Sequence, residues 1–364
     1  MRERRSALLL VAAFLIASCS PRASAPESPV STTRGSTSST SPSPSAVSTS
    51  SSATPSAQSL LRFVAEARLP SGSFSSDIGI DAAREHVYVL SLDGLLVTVD
   101  ARTNTVLGTL NVGVLADRLA VDSVSGRVYV YVTKDASNSS GGSLAVVDGQ
   151  TSALITTVAP TDKEPFGPGA IGVNEVTRRV YVGDFNSRVT IVDGATNRIL
   201  ESVDVRGQPI AMAIDVARNR VFVATAGLTN GISVIDGATN TVIKRFEGGD
   251  SPRAIAVNPA TERLYLASGM ETLTVLDEAN GTVLKTLTVM NRPERIAIDP
   301  RAGRIYVANV GAGTLSVLDA KADDIIAQPI VAQAMGFGLV VDSRNGRSYI
   351  VERIAITASL KALE

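Results

Sequence analysis

The sequence predicts an all-β ring of seven four-stranded antiparallel blades, and three observations predict it. First, one unit recurs. An Asp or Asn stands at the end of an apolar stretch at Asp81, Asp122, Asn174, Asp215, Asn258, Asp299 and Asp342, at intervals of 41, 52, 41, 43, 41 and 43 residues. Second, each unit carries period-2 alternation bounded by turn residues and no helical periodicity, which reads as strands. Third, the chain ends complement each other. The stretch after Asp342 has room for strands up to a third, and "LLRFVAEARLP" (60–70) precedes the first landmark as a fourth strand should. Four strands per unit of about 43 residues is the arithmetic of a β-propeller. A solenoid is the alternative, but N- and C-terminal strands that complete the last blade together leave no open edge between them.

Each element of the unit has a reason. Two residues before the landmark stand Gly79, Ala120, Gly172, Ala213, Ala256 and Ala297, with Val340 the exception. Small side chains there suit innermost strands that crowd at the axis. Five residues after the landmark come His86, Arg127, Arg179, Arg220, Arg263, Arg304 and Arg347, each followed by or near a run such as "VYV", "VFV", "LYL" or "IYV", the second strand. Landmark and basic residue flank a four-residue connection. They are therefore expected opposite each other on a hairpin, as an ion pair or an Asn–Arg hydrogen bond contributing about 0.2–1 kcal/mol. His86, the only histidine, falls in this series and reads as a hairpin residue. The third strand ends in Asp100, Asp148, Asp193, Asp236, Asp277 or Asp319. One such Asp per repeat beside a turn reads as a cap on backbone N–H groups, because ligands spread round a ring cannot converge on one ion.

"RIYVAN" (304–309), "GTLSVLDA" (313–320) and "VDGATNRIL" (192–200) resemble the YVTN-family β-propeller repeat of bacterial and archaeal surface-layer and extracytoplasmic proteins. The likeness runs from about residue 60 to the C-terminus, over six full units and one split unit. Its signature residues are structural, so the resemblance implies a fold far more than an activity. The best-matching tetrad is Tyr306-Val307-Ala308-Asn309. It drifts elsewhere to "YVGD", "FVAT" and "YLAS".

The first residues stand apart. "MRERRSALLLVAAFLIASC" has a basic start and an apolar run too short to span a bilayer, which needs about 20 residues. It ends in Ile16-Ala17-Ser18-Cys19, which resembles the lipobox of bacterial lipoproteins. The resemblance implies cleavage after residue 18 and lipidation of Cys19. An ordinary signal peptide with an incidental cysteine is the alternative. Ser20 in place of the Asp that resembles an inner-membrane retention signal makes the outer membrane the default in a diderm envelope. Cys19 is the only cysteine, so a disulfide within the chain is excluded. Residues 19–58 are mostly Ser, Thr, Pro and Ala, a composition that cannot offset its ordering entropy by burial. They read as a tether with a reach of roughly 30–40 Å, and 59–364 as the propeller.

Composition narrows function. Loss of residues 1–18 removes three Arg and one Glu and changes the formal charge from −1 to −3. No basic field favours nucleic acid, and a chain without Trp offers little stacking platform. One histidine assembles neither a multi-His metal centre nor a Ser–His–Asp set, and "GAGT" (311–314) precedes no helix that would make it a phosphate loop. No cofactor or metal is expected. "DASNSSGG" (135–142) reads as a polar surface loop, and the second unit also has an enlarged exit loop at 158–169.

Ligands are expected on the face opposite the hairpins. Arg118, Arg253 and Arg295 end interblade loops four or five residues before a landmark, where they are either solvated rim charges or an anion-binding cluster. Asp184 and Asn309, in the loops between second and third strands, complete the candidate binding set. Asp77, Asp117, Asp184 and Glu294 are the acids placed near the channel mouth. The leading expectation is a monomeric, non-catalytic, lipid-anchored propeller in the cell envelope, a scaffold for a protein or polymer partner. A lactonase-like or metal-dependent propeller hydrolase and a self-associating surface-coat component are the alternatives.

Overall fold

A computed structural model describes residues 61–70, 75–133, 142–160, 169–184, 186–227, 230–333, 335–354 and 357–364. The leader, Cys19, the Ser/Thr/Pro-rich segment and most of both enlarged loops of the second unit lie outside the described residues.

The fold is a seven-bladed β-propeller. Seven separate four-stranded antiparallel sheets are present, each meandering outward from an innermost strand. In blade order the innermost strands are Ser75–Asp81, Val114–Asp122, Ile171–Asn174, Gln208–Asp215, Pro252–Asn258, Pro293–Asp299 and Met335–Asp342. Each touches its two neighbours, and the seventh touches the first, so the ring is closed. The seventh blade takes three strands from the C-terminus, and its outermost strand is Phe63–Arg68, paired with Thr357–Leu363. The closure expected from the two chain ends is the one observed.

The apolar residues pack between blades and form no common central core. Each of the seven seams holds its own cluster of buried aliphatic residues. The second-strand aromatics Tyr88, Tyr129, Tyr181, Phe222, Tyr265, Tyr306 and Tyr349 are all buried there, each contributing roughly 1.5–3 kcal/mol through its apolar part. The small residue two before the landmark faces the next blade. A Cβ on Gly79 would press on Leu119 and Val121 of the second blade, and one on Gly172 would touch Ile214 of the fourth.

All seven landmarks lie directly opposite the expected basic residue or His86 in the hairpin register. The expected pairing between them does not form. Each landmark carboxylate or amide turns instead onto the backbone N–H groups of its own hairpin, as Asp299 does with Arg301 and Ala302 at 3.0 Å. The equivalent bonds are made by the other six. Where a landmark carboxylate binds an arginine, the partner is on the turn, as in Asp81–Arg84 and Asp215–Arg218. Four of the residues opposite reach the next blade. His86 lies 3.1 Å from the carbonyl of Gly149, while Arg127 bonds Gly194, Arg263 bonds Asp323 and Arg347 bonds Ala101. They fasten blade to blade because the nearest acceptors, the landmarks, are already engaged with N–H donors. Two of the series pair within their own blade, Arg179 with Asp193 and Arg347 with Glu364.

The six third-strand aspartates are turn caps as expected, each accepting two backbone N–H bonds from the turn that follows. These bonds hold Asp100, Asp148, Asp193, Asp236 and Asp319 below the usual carboxylate range. A further regularity sits on the outer strands. In every blade a one-residue bulge follows the start of the outermost strand, and the extra residue is aliphatic: Val64, Leu107, Ile155, Leu200, Ile243, Leu284 and Ile326. A bulge twists an edge and discourages pairing with another chain.

Candidate functional site

The end of the inner strand remote from the landmark builds the channel mouth. Five residues before the landmark, the inner strand is bulged in the first, second, fourth, fifth and sixth blades, and the extra residues are Ser76, Asp117, Ile210, Arg253 and Glu294. A bulge re-aims the side chains around it. Position four of six blades, with Ile210 and Arg253 at position five, lines a shared cavity of about 170 Å³ at the axis.

Its lining mixes the charged residues Asp77, Arg118, Arg253 and Arg295 with apolar ones from the third to the sixth blades, among them Ile171, Met212, Ile255 and Ile296. Sequence reasoning brought the three arginines to the mouth, and the structure gathers them in one cavity. It does not bring Asp184 or Asn309 with them. Asp184 is buried in the loop after its second strand, where its carboxylate accepts the N–H groups of Asn186 and Arg188 at 2.8 Å. Burial pushes that carboxyl up, opposed by those two bonds. Asn309 is buried too, and its amide donates to the hydroxyls of Thr314 and Ser316. Asp184 braces the loop after its strand, and Asn309, the last residue of its strand, ties that strand to the next. They lie one strand outward from the mouth because a blade's second strand ends behind its first.

The arginines are held by acids. Arg295 spans the seventh blade to place Nη2 3.3 Å from Oδ1 of Asp77, whose Oδ2 accepts the Leu119 N–H at 3.0 Å. Arg253 donates from Nη1 to Glu294 at 2.6 Å and from Nε to the Gly269 carbonyl at 2.9 Å. Arg292 reaches the same Glu294 oxygen at 3.2 Å. Arg118 donates from Nη1 to the side chain and carbonyl of the adjacent Asp117, both at 3.1 Å. Burial lowers the pKa of Arg295, with Asp77 opposing. Burial raises that of Asp117, with Arg118 opposing. Among the described residues no group of three His, Cys, Asp or Glu is placed to hold a metal ion.

One further titratable cluster sits on the hairpin face, in the seam between the fourth and fifth blades. At three other seams the second-strand tyrosine reaches the residue after a third-strand Asp in the next blade: Tyr88 donates to the Gly149 carbonyl, Tyr129 to Gly194 and Tyr349 to Ala101. A side chain at Gly149 would collide with the Tyr88 hydroxyl. In the fourth blade the aromatic is Phe222, without a hydroxyl, and the facing residue is Glu278. Glu278 is 2 % exposed and packs beside Asp215 and Arg218. Burial, then the neighbouring Asp215, push its carboxyl up to about 7. Burial works against the Asp215 charge as well, but its bonds to Arg218 outweigh that and hold it below the usual range. The exchange of Tyr for Phe and of Gly or Ala for Glu was readable by aligning the units. It lies on the face away from the mouth.

No protein-family model and no curated protein matches the chain. Among solved structures it is similar to a chain of Kuenenia stuttgartiensis hydrazine synthase, at 16% identity and a TM-score of 0.68, over 80% of this chain and 96% of that one. At that identity the likeness is one of fold alone.

Proposed function

We propose that this chain is a YVTN-type, lipid-anchored propeller of the cell envelope, and that its mouth binds a protein or polymer partner without catalysing a reaction. The observation that carries this reading is how the mouth acids are employed. Asp77 and Glu294 are each tied to arginine, and Asp77 also to a backbone N–H. General acid–base chemistry instead wants a carboxyl poised near the working pH beside the reacting group. Bulged strand ends that gather side chains from five blades suit recognition.

The anchor reading rests on the lipobox resemblance at Cys19. Two measurements test the proposal. Cys19→Ala is expected to release the protein from membrane fractions, and equal lipid labelling of variant and wild type would reject the anchor. Turnover of lactone or ester substrates, abolished by Asp77→Asn, would replace the scaffold by the hydrolase.

A further inference from the structure

We infer that the seam between the fourth and fifth blades is a proton-controlled joint: neutral Glu278 donates its acid proton to the Asp215 carboxylate and holds the seam shut, and ionisation of Glu278 frees the turn that carries it. The joint lies on the hairpin face and is independent of the binding role proposed for the mouth. Three observations carry it. The first is an exchange of residues. The residue after the third-strand Asp is Ala101, Gly149, Gly194, Gly237 or Ala320 in the other blades that have this Asp, and Glu278 in the fifth. The same seam has Phe222 where the other six blades have tyrosine. The neutral clasp of a tyrosine hydroxyl on a backbone carbonyl, made at three other seams, cannot form here, and a carboxyl stands in its place.

The second is the surroundings of that carboxyl. Glu278 is buried, and neither of its side-chain oxygens meets a hydrogen-bond donor among the described residues. Nη1 of Arg218 stands 3.7 Å from Oε2, too far to bond, and donates to Oδ2 of Asp215 at 3.0 Å. Nη2 of the same guanidinium is held by Glu262. The charged groups facing Glu278 are Asp215, Arg218 and Arg220 of the fourth blade and Glu262 of the fifth, whose carbonyl accepts the Glu278 N–H at 2.9 Å. Asp277, which precedes it, is turned onto the N–H groups of Ala279 and Asn280. A carboxylate buried without donors carries a heavy desolvation cost, and protonation removes it.

The third is the acceptor. The Asp215 side chain lies within hydrogen-bonding reach of Glu278. Its two oxygens accept the backbone N–H and Nη1 of Arg218, and each keeps a second lone pair. One proton between the two carboxyls therefore satisfies both. Two negative charges there would repel, with Arg218 already divided between Asp215 and Glu262. Burial, then Asp215, push the Glu278 carboxyl up to about 7, while Asp215 is held low, so the proton sits on Glu278. A freed turn returns Glu278 to water and to its ordinary 4.5. Opening is thus favoured as pH rises between those two values and levels off above them.

Hydrogen exchange of the full chain at pH 5 and pH 8, corrected for the intrinsic rate of each amide, tests the joint. The Glu278 N–H, bonded to Glu262, reads this seam, and the Ala320 N–H, bonded to Gly303 at 2.8 Å, reads the equivalent position of the next blade. Protection of Glu278 is expected to fall on the order of fiftyfold from the lower pH to the higher, with Ala320 nearly unchanged. Glu278→Gln, whose amide can donate to Asp215 at every pH, is expected to remove the dependence at that position. Phe222→Tyr with Glu278→Gly, which rebuilds the clasp of the other seams, is expected to remove it as well. Flat protection in the wild type, a dependence that survives in Glu278→Gln, or an equal fall at Ala320 overturns the proposal. Should the variants fail to fold, NMR titration of the Glu278 side-chain carboxyl in the wild type decides. A midpoint well above the ordinary 4.5 is expected, and a midpoint at that value overturns the joint.

Discussion

The two ends of each innermost strand obey different rules. At the landmark end every blade does the same thing: an Asp or Asn caps the hairpin, and the residue just before the second strand adopts a left-handed backbone, whether it is Gly303, Glu85 or Arg178. At the other end position four before the landmark runs Asp77, Arg118, Ala170, Ala211, Ala254, Arg295 and Gly338. Between them, position three before the landmark is Ile or Leu in six blades and Met212 in the fourth. A ring needs identical joints wherever blades repeat, so what varies from blade to blade is released from that demand. Variation is therefore the better pointer to function here, and repetition the pointer to stability.

The largest test removes the joint on which both ends depend. Deleting residues 60–68 takes away the outermost strand of the seventh blade, with buried Ala67, and bares the edge of Thr357–Leu363. Loss of cooperative unfolding and aggregation are expected in thermal melts with light scattering. Deleting 20–56 is expected to leave the melt nearly unchanged. Equal melts for the two truncations would mean that the terminal strand does not close the ring.

Next comes the carboxyl pair in the fourth-to-fifth seam, where Phe222 and Glu278 stand in place of a tyrosine and a small residue. Glu278 titrates near 7 in the folded protein, above its ordinary 4.5. Between those values the folded state holds a proton that the unfolded chain has released, so stability falls as pH rises through the window. Asp215, held low, has the opposite sign: its contribution is lost only as pH falls below the ordinary carboxylate range. Glu278→Gln keeps the shape and removes the titration. It is expected to raise stability at pH 8 by on the order of 2 kcal/mol and to change little at pH 4.5. Chemical denaturation at both pH values checks this, and parallel curves at the two pH values would refute it.

Breaking a repeated cap is expected to cost somewhat less. Asp299→Ala leaves the N–H groups of Arg301 and Ala302 without their acceptor and should destabilise by about 1–2 kcal/mol. Arg118→Gln at the variable end breaks a part-buried pair with Asp117 and should cost less than the cap, about 0.5–1 kcal/mol, while altering binding at the mouth. Urea unfolding of both variants compares the two ends of the strand directly. A larger loss for Arg118→Gln than for Asp299→Ala would reverse the division of labour.

Much of the ring was legible because its causes are local. Alternation, turn chemistry and spacing are properties of ten-residue windows, and the split blade followed from counting strands at both ends. The three mouth arginines were legible by their position in the unit. The partners were not. Arg127 bonds Gly194, 67 residues away, and Arg295 meets Asp77, 218 residues away; such pairs depend on how blades sit side by side. Asp184 and Asn309 look like site residues because polar side chains in loops often bind ligands. Their burial appears only once the sheet is built. The outer-strand bulges are written plainly as paired aliphatic residues after each turn, but their meaning emerges only from the register.

The smallest expected effect separates residues that the sequence makes equivalent. Arg263 and Arg304 occupy the same position in the fifth and sixth blades, five residues after their landmarks. Arg263 bonds Asp323 of the next blade, which also accepts the Tyr265 hydroxyl at 2.7 Å, and Asp323 is buried. Removing Arg263 leaves a buried carboxylate with fewer donors, so Arg263→Ala should lower stability by about 1 kcal/mol or somewhat more. Arg304 makes no hydrogen bond or ion pair among the described residues. Its side chain is half-buried beside the hairpin, and Arg304→Ala should shift the unfolding midpoint by no more than about 0.5 kcal/mol, mostly through lost packing of the stem. If the two substitutions cost the same, the fastening of blade to blade comes from the shared position itself and not from the partner in the next blade.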